Sequence, residues 1–574
     1  MSSGGQRTEA PRALERVLPI VQWAGRYQRG WLRDDLVAGL AVTALVVPKA
    51  LGYAEIAEVP IQHGLYAAAA GTIVYALFGT SRQISTGPSS SLAAVAGSAV
   101  VLSGVADDDA VRLVAATTIV TGVLFLLLAI LRMGWISHFL SKAVITGFLF
   151  GAAIDVVVGE LPKLTGTETE GTNTWQGLAS WLGTLPATDG ATLLVGLASL
   201  ALILGIRFAD TRVPGALALV IVGLVASVAF DFDAQGVALV GEVPRGFAAP
   251  ALPRLAYVID NVAVIGPAAV GLMLIGFSQT AGDARDFASR HGYLININQE
   301  STAQGMANIA SGVLQGIPVS TSLSASSLND QSGAKTPVAS LTTGALIILT
   351  LLVLAPLFSS LPKPVLSAVV IDAVVFGMMN VSEMRRLHRT ARVDFWIAIA
   401  AIAGVLATGV LAGVIIGVVL SLAWLVHVSA NPAMPLLGRQ RGTQVFRSLE
   451  EHPDGETYPG LLVLRFDAGL HFASAEALED RLRRLAAEAE PRIHTAVLDF
   501  EGVNFIDSQG SATLSQIIEL AGTYGAEIRL ARVKRDVLAL LERDGVTDRL
   551  GHDRIYGNVY EAAADRMPSE DRGQ

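Results

Sequence analysis

No cysteine occurs among the 574 residues, which excludes disulfides, thiol catalysis and Cys-ligated metal sites. Charge is scarce as well: Asp, Glu, Lys and Arg make up 16% of the chain, where a soluble protein carries about a quarter. No G-x-x-x-x-G-K-[ST] loop is present, so no ATP-driven process is expected. Neither a metal-ligand spacing nor a nucleophile–base pair stands out, which argues against an enzyme and against a cofactor or metal. The net charge of −9 gives no reason to expect a nucleic-acid partner.

Apolar residues, by contrast, reach 52%, and the mean hydropathy is +0.52. The runs 36–48, 64–78, 111–131, 191–206, 213–230, 262–277, 338–358 and 394–426 are too long and too uncharged for a soluble core. A span needs roughly 20 mostly apolar residues, so the chain is a multi-pass protein of a lipid bilayer, in a plasma or bacterial inner membrane. No basic-then-apolar leader with a small-residue cleavage site opens it. Arg7, Arg12, Arg16, Arg26, Arg29 and Arg33 precede the first run, and Arg385, Arg386, Arg389 and Arg392 form a second cluster. The positive-inside rule places both in the cytoplasm, and with them both termini.

After SLAWLVHVSANPAMPLL the character changes. Residues 438–574 hold 24 of the 50 acidic and 17 of the 41 basic residues, so this tail is a separate soluble domain. LLVLRFD (461–467), TAVLDFE (495–501) and EIRLARV (527–533) read as short buried strands. ALEDRLRRLAAEAE (477–490), SATLSQIIELAGTYG (511–525) and VLALLERDGV (537–546) carry helical periodicity. Alternation of the two predicts a small α/β layer. In VNFIDSQGSATL, Asp507 or Ser508 is placed to cap the following helix. The expected division is a cytoplasmic segment 1–33, a membrane domain 34–430, a linker 431–459, a soluble domain 460–566 and a tail 567–574.

The membrane part repeats itself. In TGPSSSLAA and PVSTSLSA, Ser89-Ser90-Ser91-Leu92-Ala93-Ala94 aligns without gaps with Ser320-Thr321-Ser322-Leu323-Ser324-Ala325. Each segment follows a Gly and a Pro and is too short or too polar for a full span. Such a matched pair is the best sequence pointer to a transporter's central site. Irregular backbone at membrane depth survives only where protein or water satisfies its polar groups. Two helices that begin at mid-bilayer face their free N–H groups and positive dipole ends toward one another. Serine and threonine hydroxyls add donors, and together these make an anion site.

With those residues in view, VAGLAVTALVVPKALGYAEIAEVPIQHGLYAAAAGTIVYALFGTSRQISTGPSSSLA resembles the signature region of the SulP sulfate permeases, solute carrier family 26. GYLININQESTAQGMANIASGVLQGIPVSTSLSASSLNDQSGAKT is similar to the second signature region, and the tail resembles a STAS domain through its F-[IVM]-D-S-x-G turn. The resemblance implies an α-helical membrane protein of fourteen spans in two inverted seven-span repeats, with core and gate domains and two half-helices. It also implies a homodimer and secondary transport of small inorganic anions, sulfate or bicarbonate. A chloride or dicarboxylate carrier is the alternative, as is a membrane scaffold or sensor working through the STAS domain.

Three departures mark this chain. Lys49 stands where the family usually has Gln, four residues before Tyr53 and on the same helical face. Ala325 stands where many animal members have Arg, so Lys49 is expected to supply the cation that Ala325 lacks. Gln279 occupies the position at which proton-coupled relatives usually have an acid, and Asp283, one turn on, is the nearest substitute. The resemblance and the repeat thus name Lys49, Tyr53, Ser89, Ser90, Ser91, Thr321, Ser322, Ser324 and Ala325 for the anion. Gln279 and Asp283 are the candidates for coupling to a proton or sodium. In the STAS turn, Gln509 replaces one of the usual hydroxyls, which weighs against a phosphorylation switch there.

Overall fold

A computed structural model describes residues 18–25, 27–133, 141–169, 171, 173–209 and 214–568. Arg7, Arg12, Arg16 and Arg26 lie outside the described residues. The chain divides into two compact units at Ser421/Leu422.

The first unit is helical. It opens with α1 (Leu32–Ile56), α2 (Gln62–Phe78), the short strand β1 (Thr86–Pro88) and the half-helix α3 (Ser90–Ser103). Then come α4 (Asp107–Ile130), α5 (Lys142–Thr165), α6 (Thr174–Thr184), α7 (Gly190–Ala209) and α8 (Gly215–Phe230). The opening order of helix, helix, strand and half-helix then recurs, as α9 (Val262–His291), α10 (Ile297–Val313), β2 (Val319–Thr321) and α11 (Leu323–Gln331). The unit ends with α12 (Val338–Leu349), α13 (Lys363–Met378), α14 (Val381–Thr390), α15 (Arg392–Thr408) and α16 (Val410–Ala430). Among the described residues, eight helical stretches are long and apolar enough to cross a membrane. The helices α2, α3, α8, α10, α11 and α15 are shorter.

Packing sorts the helices into two groups. The first gathers α1, α2, α3, α4, α9, α10, α11 and α12; the second gathers α5, α7, α8, α13 and α15. Small residues let the first group close tightly: a Cβ on Gly64 would lie 1.9 Å from the Ala50 carbonyl oxygen.

The two breaker segments satisfy each other. β1 and β2 pair antiparallel, with Thr86 opposite Thr321, Gly87 opposite Ser320 and Pro88 opposite Val319. The pairing extends through the Ser322 N–H, which donates to the Ser85 carbonyl at 3.1 Å. In return the Ser85 N–H donates to Ser326 Oγ at 3.0 Å. A two-stranded ladder still leaves outer edges, and here α10 intervenes. Its Glu300, Gln304, Asn308 and Ser311 recur at helical spacing and are all fully buried. Asn308 accepts from the Val319 N–H at 3.0 Å and donates to the Val319 carbonyl at 2.9 Å, which Gln304 also reaches at 2.6 Å. Ser311 donates to the Ile317 carbonyl at 2.7 Å. Glu300 takes the Thr80 N–H at 2.8 Å and the Ser81 N–H at 3.2 Å, and the Tyr75 and Thr80 hydroxyls. The polar stripe that keeps α10 from reading as a span is what closes the hydrogen bonds of the unwound backbone.

The second unit carries a four-stranded parallel sheet in the order β5 (Leu461–Arg465), β6 (Thr495–Asp499), β7 (Glu527–Ala531), β8 (Ile555–Tyr556). Three helices match the expected ones to within a few residues: α17 (Ala475–Glu488), α18 (Ser508–Thr523) and α19 (Arg535–Arg543). The expected linker is not featureless. It contains a hairpin of β3 (Leu437–Arg439) and β4 (Phe446–Ser448), whose Leu437 shares a buried cluster with Val463 and Val497 of the sheet.

Asp507 is the cap of α18, with Ser508 exposed as its first helical residue. Asp507 accepts from the Gly510 N–H at 2.8 Å and the Phe472 N–H at 2.9 Å. Burial pushes its carboxyl up, and those N–H groups more than offset this, so it lies below the usual carboxylate range. A lowered pKa gives stability that is full above the unfolded value and lost as pH falls through the folded one.

Two outcomes are expected. Asn308→Leu strands the Val319 N–H, while the Val319 carbonyl keeps Gln304, at a cost of about 1–3 kcal/mol for the orphaned group. It should therefore lower the apparent melting temperature of the detergent-purified protein markedly; an unchanged value contradicts the role assigned to α10. Asp507→Ala should cost about 1 kcal/mol locally, read as faster hydrogen exchange at Gly510 at pH 7. The difference from the wild type should shrink as pH falls through the lowered carboxyl pKa.

Candidate functional site

The half-helices start where the ladder ends. Ser89, extended at φ −128°, caps α3, its Oγ accepting from the Leu92 N–H at 3.4 Å. Ser322, at φ −113°, caps α11 in the same way and accepts from the Ala325 N–H, also at 3.4 Å. The two caps are not opposite each other in the gapless alignment, which sets Ser89 against Ser320 and Ser322 against Ser91; the structure shifts the correspondence by two residues, Ser89 matching Ser322. Each cap also meets a neighbouring hydroxyl: Ser89 with Ser91 at 3.1 Å, and Ser322 with Ser324 at 3.3 Å. A helix start leaves its first N–H groups without internal partners, here those of Ser90, Ser91, Leu323 and Ser324. The two dipole ends add roughly half a unit of positive charge each.

Lys49 completes the positive field. It sits in the middle of α1, and its Nζ donates to Ser324 Oγ at 3.2 Å. The ammonium therefore stands over the first turn of α11, beside Ala325. Lys49, Tyr53, Ser322 and Ala325 line one small cavity together with Ser85, Gly87 and Pro88 of the strand segment. Its volume is about 10 Å³, room for about one water. A tetrahedral oxyanion needs more, so this conformation is contracted around the site. Ala325 is 1% exposed and belongs to the same apolar cluster as Val46 and Ala50. A guanidinium does not fit there without displacing α1.

The coupling candidates Gln279 and Asp283 both make hydrogen bonds to the half-segments. Gln279 Nε2 donates to Ser91 Oγ at 3.0 Å, so α9 grips the first half-helix. One turn on, Asp283 accepts from Thr321 Oγ1 at 3.0 Å, so α9 also grips β2 just before the second. Ser320 Oγ donates to the Gly276 carbonyl on the same helix at 3.4 Å. Asp283 makes no ion pair with Lys49 or Arg285 among the described residues. The nine anion-site candidates thus fall on three elements that meet: α1, the β1–α3 start and the β2–α11 start.

Sequence reasoning passed over other groups. Ser85, Gly87 and Pro88 line the cavity through the strand pairing, which three-residue strands do not announce by periodicity. Asp372 of α13 had no assigned role; Arg207 of α7 grips it with two hydrogen bonds, at 2.7 and 2.6 Å. That guanidinium also lies 4.2 Å from the Phe376 ring centroid. Among the described residues, no group of three or more His, Asp and Glu side chains suits a metal ion.

This architecture and sequence have close counterparts. Residues 32–401 match the Sulfate permease family and residues 452–562 the STAS domain. A probable sulfate transporter of Mycobacterium tuberculosis is 33% identical over 540 residues, covering 94% of this chain and 95% of the relative. A chloroplastic sulfate transporter of Arabidopsis thaliana is 28% identical over 96% of this chain and 82% of its own length. Among solved structures, murine solute carrier 26 family member A9, an anion transporter in the inward-facing state, superposes with a TM-score of 0.89. It is 21% identical, covering 98% of this chain and 96% of that one. The membrane domain of the cyanobacterial bicarbonate transporter BicA gives a TM-score of 0.58 at 19% identity, over 69% of this chain and 98% of its own. By residues and by fold together, the chain belongs to the sulfate permease family, an anion-transporter family with a C-terminal STAS domain.

Proposed function

We propose that the protein is a secondary active transporter of a small inorganic oxyanion, sulfate or bicarbonate, held where α3 and α11 begin. One observation carries this reading: the Lys49 ammonium stands at the start of α11, which is itself laddered to the start of α3. Two helix dipoles and one ammonium supply about two positive charges, which suits a divalent anion. A buried ion is costly unless it is paired, and these groups provide the pairing. The relatives' names for sulfate agree with that charge, whereas bicarbonate, named for the cyanobacterial neighbour, is monovalent.

The two packing groups correspond to a core, which contains the whole site, and a gate. Transport is their relative movement, opening the contracted cavity to one side and then the other. With six of the shorter helices, α6 left aside, the eight long stretches make fourteen crossing segments, seven in each repeat. The protein works as a homodimer, with Arg29, Arg33 and the cluster from Arg385 to Arg392 facing the cytoplasm.

Uptake of labelled sulfate and bicarbonate into liposomes carrying the purified protein tests the function. Absence of both favours a chloride or dicarboxylate carrier, or a scaffold acting through the STAS domain. Ser324→Glu puts a carboxylate against the site and should abolish anion binding while the protein still folds. Lys49→Gln should weaken binding of a divalent anion more than that of a monovalent one, by about tenfold for each 1.4 kcal/mol lost. Equal effects on both charges contradict the electrostatic role of Lys49.

A further inference from the structure

A second polar cluster lies where the two packing groups meet, away from the anion site. Near the end of α1, Glu55 faces α5. Lys163 of α5 donates to Glu55 Oε1 at 2.6 Å and to Glu160 Oε1 at 2.9 Å. One ammonium therefore serves two carboxylates, one from each group of helices. The other oxygens, Glu55 Oε2 and Glu160 Oε2, are buried and make no hydrogen bond among the described residues. The Glu160 side chain is only 4% exposed. Both acids and Lys163 line a cavity of about 300 Å³, which Glu58 and Asp155 also border. Asp155 is engaged by the Thr174 hydroxyl of α6 at 2.5 Å. Among the described residues, α3 and the turn at Thr408–Gly409 reach the cavity without adding a titratable group.

Two carboxylates and one ammonium leave a net negative charge in a place where unpaired charge is expensive. Two buried acceptors without donors are equally unusual in a folded protein. A single proton answers both for this pair: it cancels the charge that Lys163 leaves over between Glu55 and Glu160 and turns one carboxylate into a donor. A metal ion fits less well, because the ammonium already occupies the side on which both acids converge. We propose that Glu55 and Glu160 share one bound proton, forming a cation site at the boundary between core and gate. This site is separate from Gln279 and Asp283, which make hydrogen bonds to the half-segments.

The site has a mechanical consequence. With both acids ionised, Lys163 straps α1 to α5 through its full ion pair with Glu55, while its pair with Glu160 stays within α5. With the proton on Glu55, the crossing pair becomes a weaker hydrogen bond, and the strap loosens. Proton occupancy is thereby linked to the movement of α1, which carries Lys49, relative to α5. That link rests on the transport reading; the proton site itself does not.

Infrared spectroscopy of the full-length protein in lipid nanodiscs tests the site without reference to any substrate. The wild type should show a protonated-carboxyl band at pH 7. The Glu55→Gln and Glu160→Gln variants should each lose the same single-carboxyl intensity, since either removes the shared proton. Exchange of sodium for choline should leave the band unmoved. No band in the wild type, full intensity in both variants, or a band displaced by sodium overturns the proposal. In liposomes, the ratio of sulfate or bicarbonate uptake with and without a proton gradient should fall to one in both variants. A wild-type ratio in both would overturn the coupling, and absence of all uptake would overturn the transport reading while the infrared result still decides the site.

Discussion

Unpaired backbone has no place in a bilayer, and this one constraint organises the membrane unit. The chain interrupts its helical run twice, just before α3 and just before α11, which frees the N–H groups at both helix starts. It must then satisfy the carbonyls and amides that the break exposes. β1 and β2 do this for each other, and Gln304, Asn308 and Ser311 do it for the outer edge of β2 and the turn before it. Because each half-segment is the partner of the other, the two N-termini are forced together. The site is thus a by-product of how the broken backbone is paired.

Charge is placed with the same economy. Lys49 is held by a serine of the second half-helix, and the position beside that serine, Ala325, stays small and buried. Both half-helices begin with a Ser cap in extended conformation, although the caps lie two residues out of register in the gapless alignment of the two segments. Ion pairs elsewhere in the unit, Arg207 with Asp372 and Lys163 with two glutamates, engage further charge. Arg207 and Asp372 both belong to the second packing group, whereas Lys163 spans the two groups. The first pair therefore holds its own group together, and Lys163 joins the two groups.

Much of this was legible in the residues. Long apolar runs announced the membrane unit, and the Ser-rich repeat with its Gly and Pro announced the half-helices. Alternating strands and helices announced the soluble domain. The β1–β2 pairing was not legible, because three residues carry no periodicity. Nor was the job of α10: its stripe of Glu300, Gln304 and Asn308 reads as a poor span until the backbone it serves is seen. The hairpin β3–β4 hid in a stretch rich in Arg, Gln and Gly because its strands are short and half polar. Gln279 and Asp283 lie one turn apart on α9, as their spacing implies, but their hydrogen bonds to Ser91 and Thr321 were not legible.

The central claim is that the anion sits at the joined starts of α3 and α11, under Lys49. A crystal structure of the full-length protein with selenate, a tetrahedral dianion with strong anomalous scattering, tests it most directly. The account predicts a selenium peak within hydrogen-bonding reach of Lys49 Nζ and of the first N–H groups of both half-helices. A peak seated elsewhere, with those N–H groups turned away from it, would contradict it.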